Sequence, residues 1–263
     1  MSPRRRRNCF AGLVSNQTAP MQNTVRTLCF LPLAGLFALV LSPSAVAQAG
    51  SFVISQHGQP VGTASFRFTA TPEGYDSTAL VRIAMPGLDY ALSKTELLTP
   101  ANRLRHVQVS ATLNNAAVNV VAAPDATQIL INISASGRAS TTRLEPHPGA
   151  VFLADFDPGA IETLIALAVS QNSRDLWAIV PKKAGSVEPV QLATYADEQG
   201  TLDAKPVAVH HLVATIAGGV TELFSGPENQ LLQAELPQQG FALVRKGFVL
   251  TPPARPMAPP AQP

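Results

Sequence analysis

After Ala49 this 263-residue chain contains no cysteine; its two, Cys9 and Cys29, both lie upstream. A disulfide, a thiol nucleophile and a cysteine-based metal site are therefore excluded from everything downstream. The chain also lacks a Gly-x-Ser-x-Gly elbow, a His-Glu-x-x-His pair, a Walker loop and a dinucleotide-binding glycine pattern. No fixed-period repeat marks a solenoid or propeller. Acid is missing from one end. The first 49 residues hold five of the 19 basic residues and none of the 17 acidic ones. The remainder carries 14 basic against 17 acidic residues, so the basic balance of the whole chain belongs to its start. The case for a nucleic-acid or anionic-membrane partner goes with it.

The start reads as a leader. A hydrophobic stretch of 14 residues, Leu28–Leu41, has the length of a signal-peptide core and is too short to span a bilayer comfortably. Arg26 supplies its positive flank. Ala45-Val46-Ala47 and Ala47-Gln48-Ala49 both offer the small-x-small pattern that a signal peptidase needs, so cleavage is expected just after Ala47 or Ala49. Met21 stands ahead of this signal as an alternative start. Arg4 to Arg7 are detached from the hydrophobic stretch, which argues against a twin-arginine signal or a nucleic-acid patch. Arg26-Thr27-Leu28 before Cys29 is a poor lipobox. Residues 1–49 are therefore expected to be a leader with a cleavable signal peptide, and the product a periplasmic or secreted protein that does not span the membrane.

From 50 to 250 the pattern predicts a single β-rich domain. Ser51 to Ala70 reads as a hairpin, with turn chemistry at His57-Gly58-Gln59-Pro60 and with Phe66 and Phe68 on one face of the return strand. Alternating runs follow at Tyr75–Ala84, Leu88–Leu98, Arg105–Leu113, Ala116–Ala123, Gln128–Ser134 and Arg138–Leu144. Pro72-Glu73-Gly74, Pro86-Gly87, Asn114-Asn115, Pro124-Asp125 and Ser136-Gly137 separate them. This spacing argues for an antiparallel meander, half buried. Later strands are expected at Asp175–Val180, Val190–Tyr195, Val207–Ile216, Thr221–Phe224, Leu231–Glu235 and Phe241–Val249. Residues 251–263, TPPARPMAPPAQP, form a Pro-rich tail expected to be disordered.

One segment is helical. Asp157 is an N-cap and Pro158 the first helical residue of Asp157–Gln171. Ile161, Leu164, Ile165, Leu167, Ala168 and Val169 cover more than one face, so this helix is expected to be largely buried. The fold class that follows is mainly β: a curved antiparallel sheet, a half-barrel-like meander, with one buried helix packed on the concave side.

Chemistry-bearing residues are few. His210-His211 lie next to each other in a strand, so their side chains point to opposite faces and cannot share one metal. Asp155 and Asp157 are two oxygen donors without the further ligands that Ca²⁺ needs, and capping explains Asp157. Lys182-Lys183 reads as a solvated pair. Ser225-Gly226 lies in a turn with no local base. No catalytic, metal-binding or cofactor-binding residue is assigned. Phe66, Phe68, Phe152, Leu164 and Trp177, with Phe156, are candidates to line an apolar ligand pocket, or else simply core.

Some of these segments carry a resemblance. Phe52-x-Ile54 followed by Gly58-x-x-Val61-Gly62 resembles the opening of a largely uncharacterised group of bacterial exported β-domains. Some of these stand alone and others precede secreted α/β-hydrolases. Glu222-Leu223-Phe224, Gln230-Leu231-Leu232-x-Ala234-Glu235-Leu236-Pro237 and Gly240-x-x-Leu243-Val244-Arg245 resemble its end, with Phe224 where a tryptophan is usual. Such domains are similar to the curved half-barrels of envelope lipoprotein carriers, which implies an apolar concave face and no catalytic residues. Three readings stand open: a non-catalytic exported binder of a lipid or other hydrophobic ligand, a structural or interaction module of the envelope without a small ligand, and an enzyme of unrecognised type.

Overall fold

Two-residue turns do most of the shaping. The computed structural model describes residues 48–125, 127–170, 175–182 and 185–252. The expected leader up to Ala47, the tail from Pro253, and Gln171 and Lys183 lie outside the described residues. Eight strands come first: β1 (Ala49–Gln56), β2 (Gln59–Thr71), β3 (Gly74–Met85), β4 (Leu88–Leu98), β5 (Leu104–Leu113), β6 (Ala116–Asp125), β7 (Gln128–Ala135) and β8 (Arg138–Leu144). Then come β9 (Ala150–Phe152), the helix α1 (Pro158–Ser170) and β10 (Trp177–Val180). The remainder is β11 (Ser186–Thr194), β12 (Glu198–Leu202), β13 (Lys205–Ile216), β14 (Gly219–Ser225), β15 (Leu231–Leu236), β16 (Phe241–Arg245) and β17 (Phe248–Leu250).

Five hairpins close through pairs of residues that both have positive φ: His57-Gly58, Asn114-Asn115, Ser136-Gly137, Asp203-Ala204 and Ala217-Gly218. That is the turn whose twist matches the strands it joins. The first turn is tighter than the four residues expected, because Gln59 and Pro60 already pair with Gln56 and Ser55. The expected strand Phe241–Val249 is broken. Gly247 adopts φ 84, and a side chain there would sit 2.2 Å from Asp203 Oδ1, so the chain turns before β17. Asp175 has φ 53, and β10 starts later, at Trp177.

The ladder has β1 at its seam. On one side β1 pairs with β2 and the meander runs outward to β8; on the other it pairs with β16, with Phe52 opposite Arg245 and Ile54 opposite Leu243. From β16 the ladder continues through β15, β14, β13 and β11 to β10, all antiparallel. It ends on β9, which pairs parallel with β10. β12 and β11 share β13 end to end, and β12 also pairs with β17.

The open sheet curls around α1. The helix touches β2 and β3 on one side of the seam and β15 on the other, while β9, at the end of the ladder, touches both α1 and β5. A flat sheet cannot bring strands so far apart in its order onto one helix, so the helix lies on the concave face. Ile54, Val81, Ile83, Val107, Ile131, Phe152, Leu164, Ile165 and Leu243 join one buried cluster there. Every residue of α1 from Pro158 to Ile165 is buried, including Glu162 and Thr163. A helix apolar nearly all round requires this enclosure. Val209, Phe224, Leu232 and Phe248 make a second, smaller cluster where β12 and β17 pack.

Leu167 is 1% exposed in the helix's packing. Replacing it with Ala is expected to cost about 2–5 kcal/mol, read as a shift in denaturant midpoint. A change below about 0.5 kcal/mol, the range of an ordinary surface substitution, would show that the helix does not plug the sheet.

Candidate functional site

The helix begins on a buried ion cluster. Asp157 caps α1, its Oδ1 accepting the amides of Gly159 at 2.9 Å and Ala160 at 3.3 Å. Its Oδ2 lies 2.5 Å from Lys94 Nζ, which also donates to Glu96 Oε2 at 2.7 Å. Lys94 and Asp157 side chains are fully buried, and Glu96 is 1% exposed. Burial pulls the Lys94 ammonium down, but Asp157 and then Glu96 outweigh it and hold the group above its ordinary range. Burial pushes Glu96 above the usual carboxylate range, against the pull of Lys94. Ser77, opposite Glu96 across β3 and β4, is buried as well, and its Oγ and Glu96 Oε1 have no hydrogen-bond partner among the described residues. A serine, a lysine and two carboxylates are reactive groups, yet all four are buried. The cluster is an anchor.

What the anchor positions is a cleft. Phe156, just before the cap, has φ 57, a costly conformation for a bulky residue. That turn sets its ring edge-on to Phe241 at 4.9 Å and tilted against Tyr90 at 6.4 Å. Burial pushes the Tyr90 hydroxyl up, with Asp155 and Asp157 adding to the effect. The segment from Leu153 to Phe156 and one side of α1, Ile161 and Leu164, form one wall of a cavity of about 350 Å³. Strands β13 to β16 form the other, through Ala214, Ile216, Val220, Leu223, Leu236 and Leu243. The lining is mostly aliphatic and aromatic, with Asp155, Lys182, Thr221 and Gln239 as its polar residues. At the rim, Lys182 Nζ meets Asp155 Oδ1 at 2.9 Å, both side chains well exposed.

Of the candidate pocket residues named from the sequence, only Leu164 and Phe156 line this cleft. Phe152 is fully buried in the core. Phe66 is buried and Phe68 half-buried, edge to face at 5.3 Å. Phe66 also borders a separate, more polar cleft of about 320 Å³ beside Ala49, Gly50 and Ser51. Trp177 is half-buried and stacks on His147 with ring centroids 3.7 Å apart. His210 and His211 do point apart. His210 Nδ1 lies 3.0 Å from Asp197, while His211 lies 3.2 Å from Glu198 and 3.5 Å from Glu222, stacked on Tyr195 and Phe224. Among the described residues, no group of three or more His, Cys, Asp and Glu is placed to hold a metal ion.

The inward charges of β4 are marked by their parity. Leu92 and Leu98 have the same parity as Lys94 and Glu96 in β4, so any register that buries both leucines buries both charges.

A third buried carboxylate sits one turn along α1. Glu162, 3% exposed, accepts the Leu231 amide at Oε2 over 2.9 Å and the Gln48 side-chain amide at Oε1. Burial pushes it up to about 7, against the downward pull of the Leu231 amide, Arg245 and Gln48.

Two outcomes follow from these groups. Lys94→Met leaves Glu96 and Asp157 buried without their cation and is expected to cost about 3–5 kcal/mol; urea midpoints measure it, and a loss under 1 kcal/mol would contradict the anchor. Because the Glu162 pKa is raised in the fold, the native state binds the extra proton between its ordinary pKa and about 7. Stability attributable to Glu162 is thus full below pH 4.5 and is lost as pH rises through about 7. The loss amounts to about 3 kcal/mol. In Glu162→Gln this falling limb disappears from the stability–pH curve; an unchanged limb would remove Glu162 as its source.

No family model, no curated protein and no solved structure matches this chain, so its functional reading stands on this geometry.

Proposed function

We propose that the protein is an exported, non-catalytic binder of a lipid or other hydrophobic small molecule in the cell envelope, and that the cleft beside the start of α1 receives the ligand. One observation carries this reading: a cavity of about 350 Å³ whose walls are mostly apolar, with Asp155, Lys182, Thr221 and Gln239 as its polar members. Ligand sites commonly span about 300–1,000 Å³ with such a lining. The Asp155–Lys182 pair at the mouth is exposed. Such a pair contributes little stability and exchanges partners at small cost. The strained Phe156 at the wall has the character of a residue held in place by a site. Export is supported by the apolar run Leu28–Leu41 with small residues behind it.

Val220 lines the cleft and is half-buried, so Val220→Trp fills the cavity without opening the core. Titration with a fluorescent fatty-acid analogue is expected to show saturable binding to the wild type. The Trp variant is expected to weaken it about tenfold or more at an unchanged thermal midpoint. Leu164→Ala, which enlarges the same cavity, is expected to alter affinity as well. Absence of binding in the wild type, together with no small molecule in solvent extracts of the protein from its own host, would favour the envelope module instead.

A further inference from the structure

We propose that Gln48 is the first residue of the processed protein and that Glu162 is the seat that holds it, so that the signal peptide is removed after Ala47 and not after Ala49. This rests on the export part of the reading above and on nothing in its ligand part. In sequence the two positions are equivalent, since both follow a small-x-small pattern. They differ in what each product would lose.

The Gln48 carbonyl accepts the Phe68 amide at 2.7 Å, and the Gln48 side-chain amide donates to Glu162 Oε1. Ala49 pairs with Arg67 across β1 and β2, and its carbonyl accepts Arg245 Nη2 at 2.6 Å. Cleavage after Ala49 would delete every one of these. It would strip a buried carboxylate of its side-chain donor, the expensive way to lose a hydrogen bond, and remove the partners of the Phe68 amide and of an exposed Arg245 arm. Cleavage after Ala47 removes none of them.

The socket is built from the other half of the chain. Arg245, from β16, also donates Nη1 to the Leu231 carbonyl at 3.1 Å and lies over the Phe52 ring at 5.8 Å. Leu231, from β15, gives its amide to the second oxygen of Glu162. The helix thus meets Gln48 and β16 meets Ala49, where β1 begins, while Leu231 of β15 braces both Glu162 and Arg245. The cleft makes no use of Glu162; one of its oxygens takes the buried Leu231 amide and the other receives Gln48. The cleavage is a hydrolysis: a host signal peptidase adds water across the Ala47–Gln48 bond, leaving a carboxylate on Ala47 and an ammonium on Gln48.

The test uses the full chain expressed in an exporting bacterial host, with the N-terminus of the product read by sequencing and intact mass. The expected start is Gln48, retained in Ala49→Leu, which disables the second site. A start at Gly50, or an uncleaved product, overturns the proposal; the uncleaved product also removes the export reading, whereas a Gly50 start leaves it intact, and ligand titration is independent of both. The seat is read from Gln48→Ala, Glu162→Ala and the double variant, with Glu162→Gln as the conservative control. Gln48→Ala alone is expected to lower the thermal midpoint by about 2–4 °C. In the Glu162→Ala background the same change is expected to lower it no further. Additive shifts would show that the two residues do not act together and would overturn the seat.

Discussion

One carboxylate ties the helix to the sheet. Asp157 closes the first turn of α1 with one oxygen and meets Lys94 with the other, and Lys94 stands on β4, well away from the seam. The arrangement is demanding. A buried cation is tolerated only with its anions beside it, and a buried helix start only with its amides satisfied. Asp157 meets both demands at once, so the helix has one axial position in the curve of the sheet. Phe156 takes its strained backbone from that same fixed point, and the cleft wall follows from Phe156.

Buried ion clusters rarely add much net stability over apolar replacements. Lys94 and Glu96, on a β4 face they share with Tyr90, Leu92 and Leu98, therefore act as specification more than reinforcement. An apolar helix on an apolar sheet could slide or rotate at little cost. The cluster removes that freedom at the helix's N-terminal end, and Glu162 with its partners removes it again one turn later. Between them the aliphatic side of Ile161 and Leu164 is presented to β13 and β14.

Much of this was legible from residue order. The turns at His57-Gly58, Asn114-Asn115 and Ser136-Gly137 announce themselves, because Gly and Asn tolerate positive φ. Asp157-Pro158 marks the helix start, and the alternation of Val107 and Val109 or of Ile129, Ile131 and Ile133 marks the buried face. Asp203-Ala204 was silent, since Ala carries no signal for the conformation it adopts there. β9, only three residues long, has too little pattern to detect. The cleft was mostly invisible for a different reason. Ala214, Val220 and Leu236 are aliphatic residues on strands, and only the curvature of the sheet decides whether such a residue meets a neighbour or a void. Aromatic residues stand out in a sequence whether or not they face a void, and Phe152 is fully buried.

The seam at β1 has a consequence for time as well as space. Ala49 and Arg245 touch although they are 196 residues apart, and β16 supplies one whole edge of β1. A ribosome or a translocation pore delivers β1 first and β16 almost last. Until then the opening hairpin carries an open hydrogen-bonding edge, the feature through which chains most readily pair with the wrong neighbour. Contacts of such long sequence separation also slow the search for the native state. The topology thus leaves the domain's first strand half-finished until nearly the whole domain has emerged.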